Sequence, residues 1–118
     1  MKNKFYITTA IDYVNAEPHI GHAYQKIIDH ALARWHKLQR KEVYFLTGTD
    51  EHGQKIETSA KEIKKTPKEF VDSISPKFQK SWDLLNIEYD QFIRTSDKDH
   101  VNKVIEFIRL MEKNGDIY

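Results

Sequence analysis

The sequence predicts an α/β fold in which a parallel sheet is flanked by helices. Two short runs, at residues 4–9 and 43–47, consist almost wholly of aromatic, apolar and β-branched side chains, which is typical of buried strands. Residues 19–40 lie between them and place apolar side chains three or four positions apart, as an α-helix requires. A strand, a long helix and a second strand form the βαβ unit, so we expect an open parallel sheet.

Local signals predict the first loop and the long helix. Residues 10–18 have no periodicity and contain Asp12, Asn15 and Pro18, which predicts a loop after the first strand. Because proline is tolerated in the first turn of a helix, the helix is expected to begin near His19. Its apolar stripe comprises Ile20, Ala23, Tyr24, Ile27, Ile28, Ala31, Leu32, Trp35 and Leu38.

The second half of the chain predicts three more helices and one strand. Residues 53–64 form a polar helix, and residues 66–69 form a capping box with proline at the first helical position, which begins a helix to about Leu85. Residues 87–93 are predicted to be a short strand. Ser96 is predicted to cap a last helix that stops at residues 114–115, Asn-Gly.

Composition limits the classes of function open to the chain. Its 118 residues carry 19 Lys and Arg against 18 Asp and Glu, so charge gives no reason to expect tight nucleic-acid binding by this chain alone. Without cysteine it forms neither a disulfide nor a thiolate zinc site. The sequence contains no signal peptide and no apolar run long enough to cross a membrane, so we expect a cytoplasmic protein with no membrane partner.

Two histidines stand at the predicted start of the long helix. The first turn of a helix has unpaired N–H groups and a partial positive charge, which favour phosphates and other anions. His19 and His22 share a helical face, and Gly21 would let a flat ligand group approach the backbone closely. On these residues alone a chance histidine pair remains open. A metal site is not expected, because two histidines supply too few ligands.

A second polar cluster, residues 48–53, follows the second strand. Ligands of open α/β sheets bind outside the carboxyl ends of the strands, where this cluster and the histidines are both expected to lie. Asp50 offers a carboxylate that can pair with an ammonium group. A polar turn in which Asp50 only caps the next helix is the alternative.

These motifs resemble those of a known family of enzymes. Residues 7–24, with His-Ile-Gly-His at 19–22, are similar to the signature of class I aminoacyl-tRNA synthetases. Residues 45–56, with Gly-Thr-Asp-Glu-His-Gly at 48–53, resemble the methionyl-tRNA synthetases in particular. Shorter similar stretches are 67–70, 84–89, 92–95 and 114–118. The resemblance covers essentially the whole chain and implies that residues 1–118 are the first half of a Rossmann-like catalytic domain.

For the nucleotide, the resemblance implies that His19 and His22 are catalytic and that both, with Gly21 and Asn15, bind ATP. ATP would enter with Mg²⁺ as a substrate, and no zinc site is expected within this chain. The reaction so implied is the ATP-dependent conversion of methionine to methionyl-adenylate, followed by transfer of the methionyl group to tRNA(Met).

For methionine, the resemblance implies that Asp50 receives the α-amino group and that Ala10, Ile11 and Tyr13 line the pocket. The chain departs from many relatives at Ala10, where they have proline, and at Asp12, where they have tyrosine or proline. Asp12 is therefore expected to place a negative charge beside the methionine pocket.

Members of this family continue into an inserted domain, a lysine-rich loop and an anticodon-binding domain, which this sequence does not contain. We therefore expect weak or no activity from residues 1–118 alone, contact with tRNA(Met) through other parts, and, in one explanation, a split synthetase whose remainder is a separate chain. Lys26 and Lys55 are expected to be solvated helix charges. Two alternatives are another nucleotidyltransferase, such as a cytidylyltransferase, and a non-catalytic module that binds a nucleotide or a partner protein through an exposed sheet edge.

Overall fold

The structure is a computed structural model that describes residues 3–118. The elements of this range follow one another as β1 (Lys4–Thr8), β2 (Asp12–Tyr13), α1 (Ile20–Leu38), β3 (Glu42–Asp50), α2 (Gln54–Glu62), α3 (Pro67–Leu84), β4 (Gln91–Arg94) and α4 (Lys98–Asn114). All three strand pairings are parallel. The predicted α/β class, with a parallel sheet flanked by helices, is confirmed.

Strand β3 is the centre of the sheet. The carbonyls of Leu46 and Asp50 accept hydrogen bonds from the residues that follow β1 and β2, whereas those of Phe45 and Thr49 accept hydrogen bonds from the residues that flank β4. Successive carbonyls of a strand point to opposite edges. It follows that β1 and β2 lie along one edge of β3 and that β4 lies along the other.

The strands differ from their predicted bounds at the carboxyl edge, where a site is expected. Strand β3 continues to Asp50, so the first half of the predicted 48–53 loop is extended backbone paired on both sides. Strand β2 falls inside the predicted loop 10–18. The strand has only two residues, which is too short a run to show a strand period in the sequence. Strand β4 begins at Gln91 rather than at residue 87, because the Phe45 N–H donates to the Asp90 side chain at 2.7 Å instead of to a strand carbonyl.

One face of the sheet is covered by helices. Paired residues of neighbouring parallel strands point to the same face, and Asp12 is paired with Thr49. Asp12 contacts Lys26 of α1, and Thr49 hydrogen-bonds Ser75 of α3, so both helices pack on this face. The core between them contains Ala23, Ala33, Phe45, Val71, Ile74, Phe78 and Trp82. Within residues 3–118 the other face is bare at Tyr6, which is 61% exposed.

The face of α1 that packs on the sheet contains only Ala23 of the predicted apolar stripe. The buried residues of the helix are Ala23, Lys26, His30 and Ala33, whereas Ile20 is 84% exposed and Leu38 is 79% exposed. The prediction that Lys26 is solvated is wrong, because its side chain is completely buried against Asp12. Periodicity found the helix, but every member of its apolar stripe except Ala23 is exposed within residues 3–118.

Capping was predicted correctly for α3 and incorrectly for α4. The side chain of Thr66 accepts a hydrogen bond from the Glu69 N–H, and Glu69 Oε2 accepts one from the Thr66 N–H, as the capping box requires. The N-cap of α4 is Asp97 rather than Ser96, whose hydroxyl donates to Glu51 instead. The predicted stop at Gly115 is confirmed by its left-handed backbone.

Candidate active site

His19 and His22 cap the amino terminus of α1 with each other's help. His19 is the N-cap residue, and its Nδ1 accepts a hydrogen bond from the Gly21 N–H at 3.0 Å. The Nδ1 atom of His22 accepts one from the His19 N–H at 3.2 Å. The two imidazoles therefore take the places that a serine and a glutamate occupy in an ordinary capping box. We call this group, His19, Gly21 and His22, the helix mouth.

The capping bonds fix which ring nitrogen carries the proton. Because Nδ1 accepts in both rings, the hydrogen of each neutral imidazole lies on Nε2. Burial lowers the pKa of His22, although the nearby Asp12 carboxylate opposes this shift. The ring centroids are 3.9 Å apart, so two imidazoles, each with an Nε2–H donor, lie side by side at the positive end of α1. This is an arrangement that can donate hydrogen bonds to an anion.

Gly21 has a local role that the sequence did not suggest. A Cβ atom at this position would lie 2.9 Å from Cε1 of His19. The space beside the Gly21 backbone, which was expected to admit a ligand, is filled by the His19 ring. The ring of His22 is held from the other side by Phe78 of α3, with centroids 5.3 Å apart.

Asp50 is the last residue of β3 and has one oxygen available. Its Oδ1 accepts long hydrogen bonds, at 3.5 Å from the Thr95 hydroxyl and at 3.4 Å from the His52 N–H. Within the described chain, no residue donates a hydrogen bond to Oδ2. The alternative in which Asp50 caps α2 is wrong, because the N-cap residue is Gly53 and no side chain caps it.

Tyr13 lies beside Asp50 because β2 pairs with the end of β3. A Cβ atom at Gly53 would lie 2.4 Å from the Tyr13 hydroxyl, so the phenol crosses directly over this glycine. Gly53 also has φ 130°, which L-residues rarely adopt. Of the other residues expected at the methionine pocket, Ile11 is 43% exposed and Ala10 is exposed, on the segment that leads into β2.

Asn15 lies beside α2. Its carbonyl accepts a hydrogen bond from the Ser59 hydroxyl at 3.3 Å. With residues of α2 it lines an open cavity of about 280 Å³, whose other residues are Gln54, Lys55, Thr58 and Ser59. Among residues 3–118 no hydrogen bond joins Asn15 to the helix mouth.

The helix mouth and Asp50 lie at the same edge of the sheet but on different faces. Asp12 points towards α1, where it contacts Lys26 one turn beyond His22. Its neighbour Tyr13 and the paired Asp50 point to the face that α1 leaves bare, because side chains alternate along a strand. A ligand that contacts both groups must therefore pass over the carboxyl edge of the sheet between β2 and β3.

A buried ionic cluster that the sequence did not reveal supports Asp50 from behind. Glu51 is 4% exposed and accepts hydrogen bonds from Arg94 Nε at 2.7 Å and Arg94 Nη2 at 2.9 Å. The hydroxyls of Thr49 and Ser96 also donate to its carboxylate. The Glu51 N–H donates to the Thr95 hydroxyl at 2.8 Å. We call Thr49, Glu51, Arg94 and Ser96 the Glu51 cluster.

The second unforeseen pair lies under the helix mouth. Lys26 Nζ donates a hydrogen bond to Asp12 Oδ1 at 3.1 Å and lies 3.0 Å from Oδ2. It donates another to the Ala10 carbonyl at 2.8 Å. Asp12 Oδ2 accepts no hydrogen bond from the described residues, although it is buried. Asp12 therefore neutralises Lys26. The expected free negative charge beside the predicted methionine pocket is not present.

Other features of the described range lie away from this edge. Cavities of about 480 and 600 Å³ open along α4, far along the chain from the helix mouth. Within residues 3–118 no group of three or more His, Asp and Glu side chains is placed to hold a metal ion. None of the described helices has the length and apolar character needed to span a bilayer.

The sequence is similar to methionine-specific ligases throughout its length. The family described as "tRNA synthetases class I (M)" matches residues 5–118. The methionine–tRNA ligase of Thermotoga maritima is 50% identical over 115 residues, which is 98% of this chain and 18% of that protein. The chain thus spans about a fifth of the length of such relatives.

Solved structures give the same result in three dimensions. The methionyl-tRNA synthetase of Mycobacterium tuberculosis in complex with methionyl-adenylate superposes with a TM-score of 0.94 and 46% identity, over 98% of this chain and 23% of that one. A leucyl-tRNA synthetase from Agrobacterium radiobacter superposes with a TM-score of 0.90 at 23% identity over 98% of this chain and 15% of that one, which shows a shared fold.

Proposed function

The chain belongs to the class I aminoacyl-tRNA synthetases of the methionine-specific type, and from that premise we propose that it forms the helix-mouth half of a methionine–tRNA ligase active site. The reaction is the activation of methionine by ATP, with Mg²⁺ bound to the nucleotide, and transfer of the methionyl group to tRNA(Met). The observation that carries the proposal is the pair of Nε2–H donors at the amino terminus of α1.

Activation needs charge stabilisation more than proton transfer. The carboxylate of methionine is already ionised at neutral pH and attacks the α-phosphorus of ATP, while pyrophosphate leaves with the electrons of the broken P–O bond. Negative charge on the α-phosphate oxygens must be stabilised in the transition state. His19 and His22 donate Nε2–H hydrogen bonds to these oxygens, and the helix terminus adds its partial positive charge.

The other end of the adenylate points across the sheet edge towards Asp50. The Oδ2 atom of Asp50, to which no described residue donates a hydrogen bond, accepts one from the α-ammonium group of methionine. Tyr13, held over Gly53 beside Asp50, and the segment through Ala10 and Ile11 form the wall next to the substrate. Asn15 contacts the nucleotide only if the ribose and base extend towards α2.

The remaining functions belong to segments that the longer relatives have and that this chain does not span. The chain covers 18% of the length of the Thermotoga relative, so contacts with pyrophosphate, with the far side of methionine and with tRNA belong elsewhere. We expect residues 1–118 by themselves to show weak or no activation. The cytoplasmic location stays a prediction.

The test is methionine-dependent exchange of pyrophosphate into ATP by the gene product that contains this chain and whatever follows it in the reading frame. Loss of one preorganised donor is expected to lower kcat by about 10²–10³-fold, so His22→Ala should show a loss of that size. Asp50→Ala should raise the KM for methionine more than the KM for ATP. Matched controls are His100→Ala and Asp116→Ala, on and beyond α4, which should leave exchange unchanged.

Other results would redirect the proposal. Exchange that does not require methionine would favour another nucleotidyltransferase. Absence of exchange, together with binding of a partner protein, would favour the non-catalytic module, for which the exposed stripe of α1 around Tyr24, 70% exposed, and Trp35, 57% exposed, is the supporting surface.

A further inference from the structure

The Asp12–Lys26 pair carries an inference that rests on the proposed function and extends it. A completely buried ammonium group is unfavourable unless acceptors surround it. Lys26, at 0% exposure, has the carboxylate of Asp12 and the carbonyl of Ala10. Both acceptors belong to segment 10–13, the segment proposed to line the methionine pocket.

Lys26 is also rigidly connected to the helix mouth. It lies four residues after His22, which places it one turn further along the same face of α1. The helix is continuous from Ile20 to Leu38. A change in the position of segment 10–13 relative to Lys26 is therefore a change relative to His22 as well.

We infer that Lys26 is a positioning residue for methionine activation, which holds segment 10–13 at a fixed distance from His19 and His22 through its bonds to Asp12 and the Ala10 carbonyl. It touches no substrate, because its side chain is completely buried. Its effect is to align the carboxylate of bound methionine with the α-phosphate, and small errors in such alignment reduce rates strongly.

A role confined to stability is the competing explanation, and the two differ in a neutral double variant. Breaking one side of a buried ion pair is destabilising, whereas replacing both sides by well-packed apolar groups of similar volume costs little. The double variant Asp12→Leu with Lys26→Met removes the buried charges and puts apolar side chains of similar volume in their place. It also removes the hydrogen bond from Lys26 to the Ala10 carbonyl, so it separates positioning from stability.

The experiment compares the wild type, Lys26→Met, Asp12→Leu and the double variant in the gene product that contains this chain and whatever follows it in the reading frame. Lys103→Met, at an exposed position of α4, is the matched control. Urea unfolding and methionine-dependent exchange are measured on each. We expect the double variant to unfold near the wild-type midpoint, yet to show a kcat/KM for methionine lowered about tenfold or more, with a smaller change in the KM for ATP.

The outcomes distinguish failure of the proposed function from failure of the positioning role. A wild type that does not exchange pyrophosphate refutes the proposed function itself. An active wild type whose double variant has a normal kcat/KM for methionine refutes the positioning role and leaves the proposed function intact. If either single variant fails to fold, the double variant alone settles the question, because it carries no buried unpaired charge.

Discussion

Asp12 and Glu51 are buried to the same extent, at 4% exposure each, and both point to the helix-covered face of the sheet, yet their pKa values shift in opposite directions. Burial raises the pKa of Asp12, and Lys26 only partly offsets this. Burial acts on Glu51 in the same sense, but hydrogen bonds from Arg94, Ser96 and Thr49 outweigh it and lower the pKa.

The difference lies in the number of donors rather than in depth. Asp12 accepts one hydrogen bond, from Lys26, and its Oδ2 accepts none from the described residues. Glu51 accepts hydrogen bonds on both oxygens. A buried carboxylate is stable as an anion only when its lone pairs are used. The Glu51 cluster is therefore a fixed support for Asp50, whereas the Asp12–Lys26 pair depends on a single cation.

The largest expected effect is that of Lys26→Met on stability. Without Lys26, Asp12 must take up a proton or remain as a buried anion. Protonating a carboxyl group of pKa about 3.9 costs about 4 kcal/mol at pH 7 and about 1.5 kcal/mol at pH 5. We expect the 118-residue chain to lose stability accordingly, with clear recovery at the lower pH. Urea unfolding followed by tryptophan fluorescence measures both values, and an equal loss at both pH values would contradict the comparison.

Arg94→Met should have a smaller effect that varies little with pH. Glu51 keeps the donors Thr49 and Ser96, and the Arg94 side chain is 21% exposed, so water can replace part of its interaction. We expect a loss of about 2 kcal/mol, at pH 7 and at pH 5 alike, which is below the cost of breaking a fully buried pair. A loss of stability at pH 7 greater than that of Lys26→Met would show that the number of hydrogen-bond donors does not determine how a buried carboxylate is stabilised.

Sequence reasoning found the elements of the fold but not these two centres. The hydrophobic period located α1 and β3, and the capping box located the start of α3, because these signals are local. The pairing of Asp12 with Lys26 is a contact between residues fourteen positions apart, and it depends on how α1 is rotated on the sheet. The sequence could not supply that rotation, since the apolar stripe of α1 faces away from the sheet.

The sequence predicts which residues form the candidate site but not how their side chains are arranged. The sequence predicts His19, His22 and Asp50 as site residues because they follow strands whose carboxyl ends meet, and the structure places them at that edge. What no local pattern indicated is that the histidines cap each other and that the Asp50 side chain points to the other face. Both depend on side-chain geometry at the ends of elements.

As pH falls below neutral, Glu51 and Asp12 should affect the free energy of unfolding in opposite directions. The folded pKa of Glu51 is lowered, so its contribution is present above the unfolded pKa of about 4.3 and is lost as pH falls through the folded pKa. The folded pKa of Asp12 is raised, so its contribution is present below the unfolded pKa of about 3.9 and is lost as pH rises through the folded pKa.

Glu51→Gln should therefore flatten the fall in stability between pH 5 and pH 3, and Asp12→Asn should steepen it. One titrating group changes the slope by at most about 1.4 kcal/mol per pH unit. Urea midpoints of the 118-residue chain at half-unit steps of pH measure both slopes. Slopes that change in the same direction would show that the two carboxylates do not differ as described.

Ser96→Ala is expected to have the smallest effect and tests which element the serine supports. As a helix cap it would stabilise α4, but its hydroxyl donates to Glu51, and Asp97 is the N-cap residue. Loss of one hydrogen bond to a charged group costs about 1.5 kcal/mol. Because the lost donor raises the folded pKa of Glu51, the acid transition should move to higher pH. The control Ser81→Ala removes a serine hydroxyl that bonds only within α3, to the Lys77 carbonyl, and should leave that transition in place. A loss of helical circular dichroism with an unmoved acid transition would assign Ser96 to the cap and reduce the Glu51 cluster to its arginine and threonine.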